Sequence, residues 1–166
     1  GPLTGSPPEA HMRPTEEAAN FVASARKIRV MNALRDSKVG LALTSSQYDV
    51  ITPTGIIARL IAMKRPALAT SICSYLQLDE SVQSFARASR AAAYVISDSS
   101  KGQTDGQTAE AAINILNEDS SDVGAKGSTI PEEHNRGAFA SVALAADRAG
   151  RGGVAKLLLM RETSTA

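Results

Sequence analysis

Apolar residues along the chain recur at helical spacing, interrupted by short polar stretches that carry Gly or Pro. From Thr15 to about Arg35, the residues Phe21, Ala25, Ile28, Met31 and Leu34 share one expected helical face. Acids in the first turn and bases in the last both suit the helix dipole. Asp36 to Gly40 breaks this helix, and Val39, Leu41 and Leu43 make a short apolar connector. Thr44-Ser45-Ser46-Gln47 spells a capping box and opens a brief helix through Tyr48 and Ile51.

The next stretch predicts a helical hairpin. Thr52 is placed to cap a helix whose first residue is Pro53, where a missing N–H costs nothing. Ile56, Ile57, Leu60 and Ile61 form its stripe. At Lys64-Arg65 the pattern stops, because Pro66 disfavours helix in the preceding residue and starts a new one. The second helix carries Leu68, Ile72, Tyr75 and Leu76 on one face, with Ala69 and Cys73 beside it. Neither helix can hide its stripe alone, so the two are expected to pair across a tight basic turn.

Asp79 is expected to cap a helix over Glu80 to Ile96, with Val82, Phe85, Ser89, Ala92 and Ile96 on its inner face and Arg87 and Arg90 off it. Ser97 to Gly106 reads as a loop. Thr104 and Gln107 then have capping-box spacing before a helix with Ala109, Ala112, Ile113 and Leu116 inside. Residues 117–137 are rich in Ser, Gly, Asp and Glu without sustained periodicity, and predict a mobile surface loop. A last hairpin runs from Phe139 to Arg161. Laid ungapped on the first, it sets Arg65 on Arg151, Leu68 on Val154 and Ala69 on Ala155. A repeated helix–turn–helix unit with alanine early in its second helix points to an all-α chain, an α-solenoid of antiparallel helical hairpins. An ordinary helical bundle is the alternative this pattern leaves open.

Composition adjusts this picture in a few places. The 166 residues suffice for one domain, and a chain near this length buries roughly 70% of its unfolded surface. Apolar residues make up 43% but aromatics only 4%, so Ala, Leu and Ile must do the packing, which suits closely spaced helices. Eighteen bases against 17 acids leave no electrostatic case for nucleic acid or an acidic membrane as partner. The single cysteine, Cys73, excludes an intrachain disulfide and reads as a small core residue. With no apolar run of 18 residues, nothing is expected to span a membrane. Residues 1–12, GPLTGSPPEAHM, read as expression-tag and cloning residues. That leaves 13–166 as a single solenoid piece of something larger, with exposed apolar surface expected at one or both ends.

No catalytic, cofactor or metal site emerges. Gly150-Arg151-Gly152-Gly153-Val154-Ala155 has the spelling of a dinucleotide-binding turn, which works between a strand and a helix. Here a helix precedes it, so a tight interhelical turn is the better reading. Gly124-Ala125-Lys126-Gly127-Ser128-Thr129 lacks the order and leading strand of a phosphate loop. His134 beside Glu132 and Glu133 has no second His or Cys at ligand spacing. Asp79-Glu80 sits at a helix cap. Arg65 and Arg151, at matching turn positions, are the candidate site residues. Each either serves the last carbonyls of the preceding helix or belongs to an exposed ridge that meets a partner protein.

Three blocks carry a resemblance: KIRVMNALRD, then VGLALTSSQYDVITPTGIIARLIAMKRPALATSICSYLQL, then AGRGGVAKLLLMRE. They resemble the central helical part of the family of vacuolar protein sorting-associated protein 16, over about Ala25 to Leu78 and again over Phe139 to Glu162. The resemblance implies an α-solenoid downstream of a β-propeller, and a non-enzymatic scaffold shared by the HOPS and CORVET tethering complexes. Such a scaffold acts on endosomal, lysosomal or vacuolar membranes and promotes SNARE-mediated fusion. Its implied partners are other tethering-complex subunits, including an SM-class SNARE chaperone gripped mainly by sequence C-terminal to this chain. The implied location is cytoplasmic, peripheral on those membranes through the complex. Residues 97–137 depart from the family, being longer and richer in Ser and Gly. Another coat- or tether-type repeat, clathrin-like, and an all-α ligand-binding or enzymatic bundle are the alternative readings.

Overall fold

The computed structural model describes residues 13–118 and 132–164, the side chains of 132–136 and of 163 and 164 excepted. Every regular element among them is helical: α1 (Pro14–Arg35), α2 (Ser45–Ala62), α3 (Pro66–Leu76), α4 (Glu80–Ile96), a 3-10 turn (Asp98–Ser100), α5 (Asp105–Leu116), α6 (Glu132–Arg148) and α7 (Gly152–Ser164). The chain divides into two compact units, Gly1–Ser46 and Gln47–Ala166.

In the first unit, α1 opens on Pro14, and the Glu16 carboxylate accepts a bond from the Arg13 backbone N–H at 3.3 Å. Its buried residues are Val30 and Leu34, so the expected stripe is largely misplaced. Of the five residues assigned to it, Leu34 is inside, whereas Phe21 is 75% and Ile28 58% exposed. Spacing alone does not say which of two apolar faces is covered: α1 has one through Phe21 and Ile28 and another through Val30 and Leu34. The helix stops as expected at Asp36, whose carboxylate accepts from the Lys38 N–H at 2.8 Å, and Gly40 supplies φ +72°.

In the second unit, α2 bends at Thr52, which has φ +68° and ψ 156°, a region that is nearly glycine's alone and costs about 1–3 kcal/mol. The bend separates the brief helix through Tyr48 from the one opened by Pro53. Thr52 caps the latter, its hydroxyl accepting from the Gly55 N–H at 3.4 Å. Ile56, Ile57 and Leu60 are buried as the stripe requires. On α3 the buried line is Ala69, Ile72 and Cys73, while Tyr75 turns outward.

The Asp79 cap holds, accepting from the Ser81 N–H at 3.2 Å, but the inner face of α4 differs from the expected one. Buried are Gln83, Ser84, Ala86, Arg87, Ala88, Ala91 and Val95, and Phe85 and Ile96 are more than half exposed. The cause is the spacing of neighbours. Helix α4 packs on α3, α5 and α6, and the close approach that alanine and serine permit leaves no room for the large side chains. Arg87 is buried with them, ion-paired to Glu80 two turns earlier. The box at the start of α5 is closed both ways: the Thr104 N–H donates to Gln107 Oε1 at 3.1 Å and the Gln107 N–H to Thr104 Oγ1 at 3.2 Å. Ala109, Ala112, Ile113 and Leu116 are all inside. Helix α6 begins at Glu132, within the stretch 117–137 read as a loop; 119–131 lie outside the described residues.

Helix α4 lies on α6 and α5 on α7, while α4 meets α5 and α6 meets α7 as neighbours. Two hairpins are therefore stacked, first helix on first and second on second. Their shared core runs from Ala88 to Leu158 and is built around Val95, Ile113, Phe139, Val142, Val154 and Leu158.

Candidate interaction site

The two turns that the sequence aligns have the same backbone. At the end of α2, the Lys64 N–H donates to Ile61 O at 3.0 Å and the Arg65 N–H to Leu60 O at 2.8 Å, with Lys64 at φ +63°. At the end of α6, the Gly150 N–H donates to Asp147 O at 2.9 Å and the Arg151 N–H to Ala146 O at 2.8 Å, with Gly150 at φ +79°. Both are Schellman closures, which satisfy the last carbonyls through backbone donors and need one left-handed residue. The glycine spelling at 150–153 is thereby accounted for as a turn. Ala69 and Ala155, aligned four residues on, are both buried.

The arginine side chains differ. Arg65 is exposed. The side chain of Arg151 is only 18% exposed and runs inward, to the preceding hairpin. Its Nη1 donates to Val95 O at 3.3 Å, to Ser100 O at 3.3 Å and to Ser100 Oγ at 2.9 Å. Its Nη2 donates to Thr108 Oγ1 at 3.1 Å and stands 3.5 Å from Asp105 Oδ1. The Arg151 side chain does serve a helix-end carbonyl, but that of Val95 in α4 rather than one of α6. Tyr94 extends the cluster by donating to Gln103 Oε1 at 2.8 Å.

Asp105 also lies close to a glycine. A Cβ on Gly153 would meet the Asp105 carboxylate, with its Cγ 2.9 Å away, and the carboxylate would have to turn aside. The start of α5 thus lies against the first turn of α7, where a carboxylate is electrostatically welcome. Sequence reasoning missed Asp105, Ser100 and Thr108 as partners of Arg151. The legible signal was a glycine early in a helix, where a turn alone does not require one. It also missed Arg87 as a buried residue; Glu80 two turns before it was the available clue.

Cys73 is 1% exposed, and burial pushes its thiol up to about 11, opposed in part by the Arg87 guanidinium. A thiol so placed is unreactive at neutral pH, in keeping with a core role.

Two grooves open on the stacked hairpins. One, of about 650 Å³, runs between α6 and α7 past Ala140, Leu144, Asp147, Lys156, Leu159 and Met160. Leu144, Leu159 and Met160 stand about half exposed along it. The other, of about 430 Å³, lies between α4 and α6, with Phe85 and Ala92 beside Ser81, Ser84, Ser89 and Ser141. Neither lining contains a histidine or cysteine. Small residues with a few large apolar ones suit a protein surface better than a reacting small molecule. Among the described residues, no helix is long and apolar enough to cross a membrane.

Fold and grooves together describe an all-α chain of helical hairpins. Two curated proteins are similar to part of it. Protein VACUOLELESS1 of Arabidopsis thaliana is 40% identical over 57 residues, 34% of this chain and 7% of that protein. A vacuolar protein sorting-associated protein 16 homolog of Dictyostelium discoideum is 38% identical over 64 residues, 39% of this chain and 8% of that protein. The chain spans less than a tenth of the length of these relatives. No protein-family model and no solved structure matches it.

Proposed function

We propose that this chain is a non-enzymatic scaffold segment of a membrane-tethering complex acting in traffic to the vacuole or lysosome. The observation that carries the reading is the 38–40% identity to two vacuole-related proteins, set on an all-helical chain. The stacked hairpins support it physically. When first helix lies on first and second on second, each added hairpin lengthens a rod, so an α-solenoid can space binding sites at fixed intervals. In this reading the chain works within HOPS or CORVET on the cytoplasmic side of late-endosomal, vacuolar or lysosomal membranes, reaching them through the complex. Its partners are the other subunits, among them an SM-class SNARE chaperone held mainly by sequence C-terminal to this segment. Arg65, exposed at its turn, is the aligned arginine offered to a partner.

Calorimetric titration of a purified SM-class SNARE chaperone into this chain, and into a version extended at its C-terminus, tests the proposal. Binding by the extended protein alone is the expected result and makes this segment a spacer. Binding by both places a contact here, and charge reversal at Arg65 then locates it. If neither binds, the tethering assignment fails.

A further inference from the structure

We propose that the Arg151 cluster sets the register in which α6 and α7 lie on α4 and α5. The alanine part of that interface specifies register poorly. Ala88 and Ala91 of α4 share one core with Ala143 and Ala146 of α6, beside Val95, Phe139 and Val142. Against a slide of one turn, about 5.4 Å, the apolar resistance between these two helices comes mainly from those three larger side chains.

The guanidinium of Arg151 is satisfied in one arrangement only. Its acceptors come from three places: Val95 O at the end of α4, Ser100 in the 3-10 turn, and Thr108 in the first turn of α5. A one-turn slip withdraws it from all three and leaves a mostly buried cation unpaired, which is strongly unfavourable. Polar groups in otherwise degenerate helical interfaces have this registering role elsewhere.

The test is 19F NMR on the whole chain labelled with 4-fluorophenylalanine. Of the three phenylalanines, Phe139 is buried between the hairpins, whereas Phe21 and Phe85 are exposed. The wild type is expected to give one line for Phe139. Arg151→Met, which keeps the length of the stem and removes the fork, is expected to give two exchanging lines for Phe139. Amides of α6 and α7 should then exchange at least about tenfold faster relative to those of α4, with helix content unchanged. A single Phe139 line in Arg151→Met at the wild-type position, with exchange accelerated equally in all helices, would overturn the proposal and reduce Arg151 to a contributor to stability. Should Arg151→Met fail to fold, Arg151→Lys decides by the same criterion, because an ammonium reaches one acceptor group at a time. Two Phe139 lines support the register role, and one refutes it.

Discussion

The turn after α2 and the turn after α6 share a backbone and differ in where their arginine goes. Both close with the same pair of hydrogen bonds, both need a left-handed residue, and both lead into a helix whose alanine is buried. Yet Arg65 is exposed while Arg151 threads between α4 and α5. Local sequence determines the turn, because the bonds lie within six residues. The direction of the side chain depends on what stands beyond it, and at Arg151 that is a helix end and a hydroxyl pair 43–56 residues away in sequence.

The largest effects should fall on the residue whose carbonyl accepts the closing bond of wider sequence span, from the N–H five residues on. It is Leu60 in one turn and Ala146 in the other, both fully buried. Leu60→Ala is expected to cost about 2–5 kcal/mol by opening a cavity. Ala146→Leu should cost roughly 1–3 kcal/mol or more by overpacking. Urea denaturation of both variants checks this, and tolerance of leucine at 146 would show that the second hairpin is looser than described.

Next come the arginines themselves. Arg151→Ala leaves buried acceptors unpaired and should cost about 2–3 kcal/mol, whereas Arg65→Ala should stay within about 0.5 kcal/mol, as surface changes do. Equal losses for the two in thermal melts would erase the distinction drawn between them.

A third Schellman closure, at the end of α3, has Cys73 in the accepting position, its carbonyl taking the Leu78 N–H at 3.1 Å. Its thiol is raised from 9.0 to about 11, so the folded state retains the proton that the unfolded chain gives up. That contribution is intact below pH 9 and is lost as pH rises toward 11. Against Cys73→Ala, the wild type should lose on the order of 1 kcal/mol by pH 10. Parallel pH profiles for the two proteins would contradict the assigned burial.

The smallest effects concern the left-handed residues. Gly150→Ala should cost about 1 kcal/mol, and Lys64→Gly should stabilise by roughly 0.5 kcal/mol, since a lysine there carries strain that glycine does not. Opposite signs in paired melts sharpen the equivalence of the turns; the same sign would break it.

Local chemistry was legible in the sequence. The caps at Thr52, Asp79 and Thr104, the break at Pro66, and the aligned turns depend on neighbours a few residues apart. The inner line of α5 was legible too, because Ala109, Ala112, Ile113 and Leu116 form its apolar stripe. Facing was not legible on α1 and α4. Each carries two candidate lines, and on α4 the covered one is the smaller, with Phe85 and Ile96 left outside and Arg87 taken in. Large side chains mark a core only when the neighbouring helix stands far enough away. The role of Arg151 was beyond reach for a related reason: it needs α4, the 3-10 turn and α5 in place at once.

The central claim is that α4/α5 and α6/α7 form one packed stack tied by Arg151. Native-state hydrogen exchange on the wild-type chain tests it most directly, by comparing amides of 83–95 and 109–116 with those of 139–146 and 154–158. One packed stack predicts that the slowest amides of both hairpins open together, with the same free energy and the same dependence on urea. If α6 and α7 instead exchange orders of magnitude faster while α4 and α5 stay protected, the hairpins are separate units and the account is wrong.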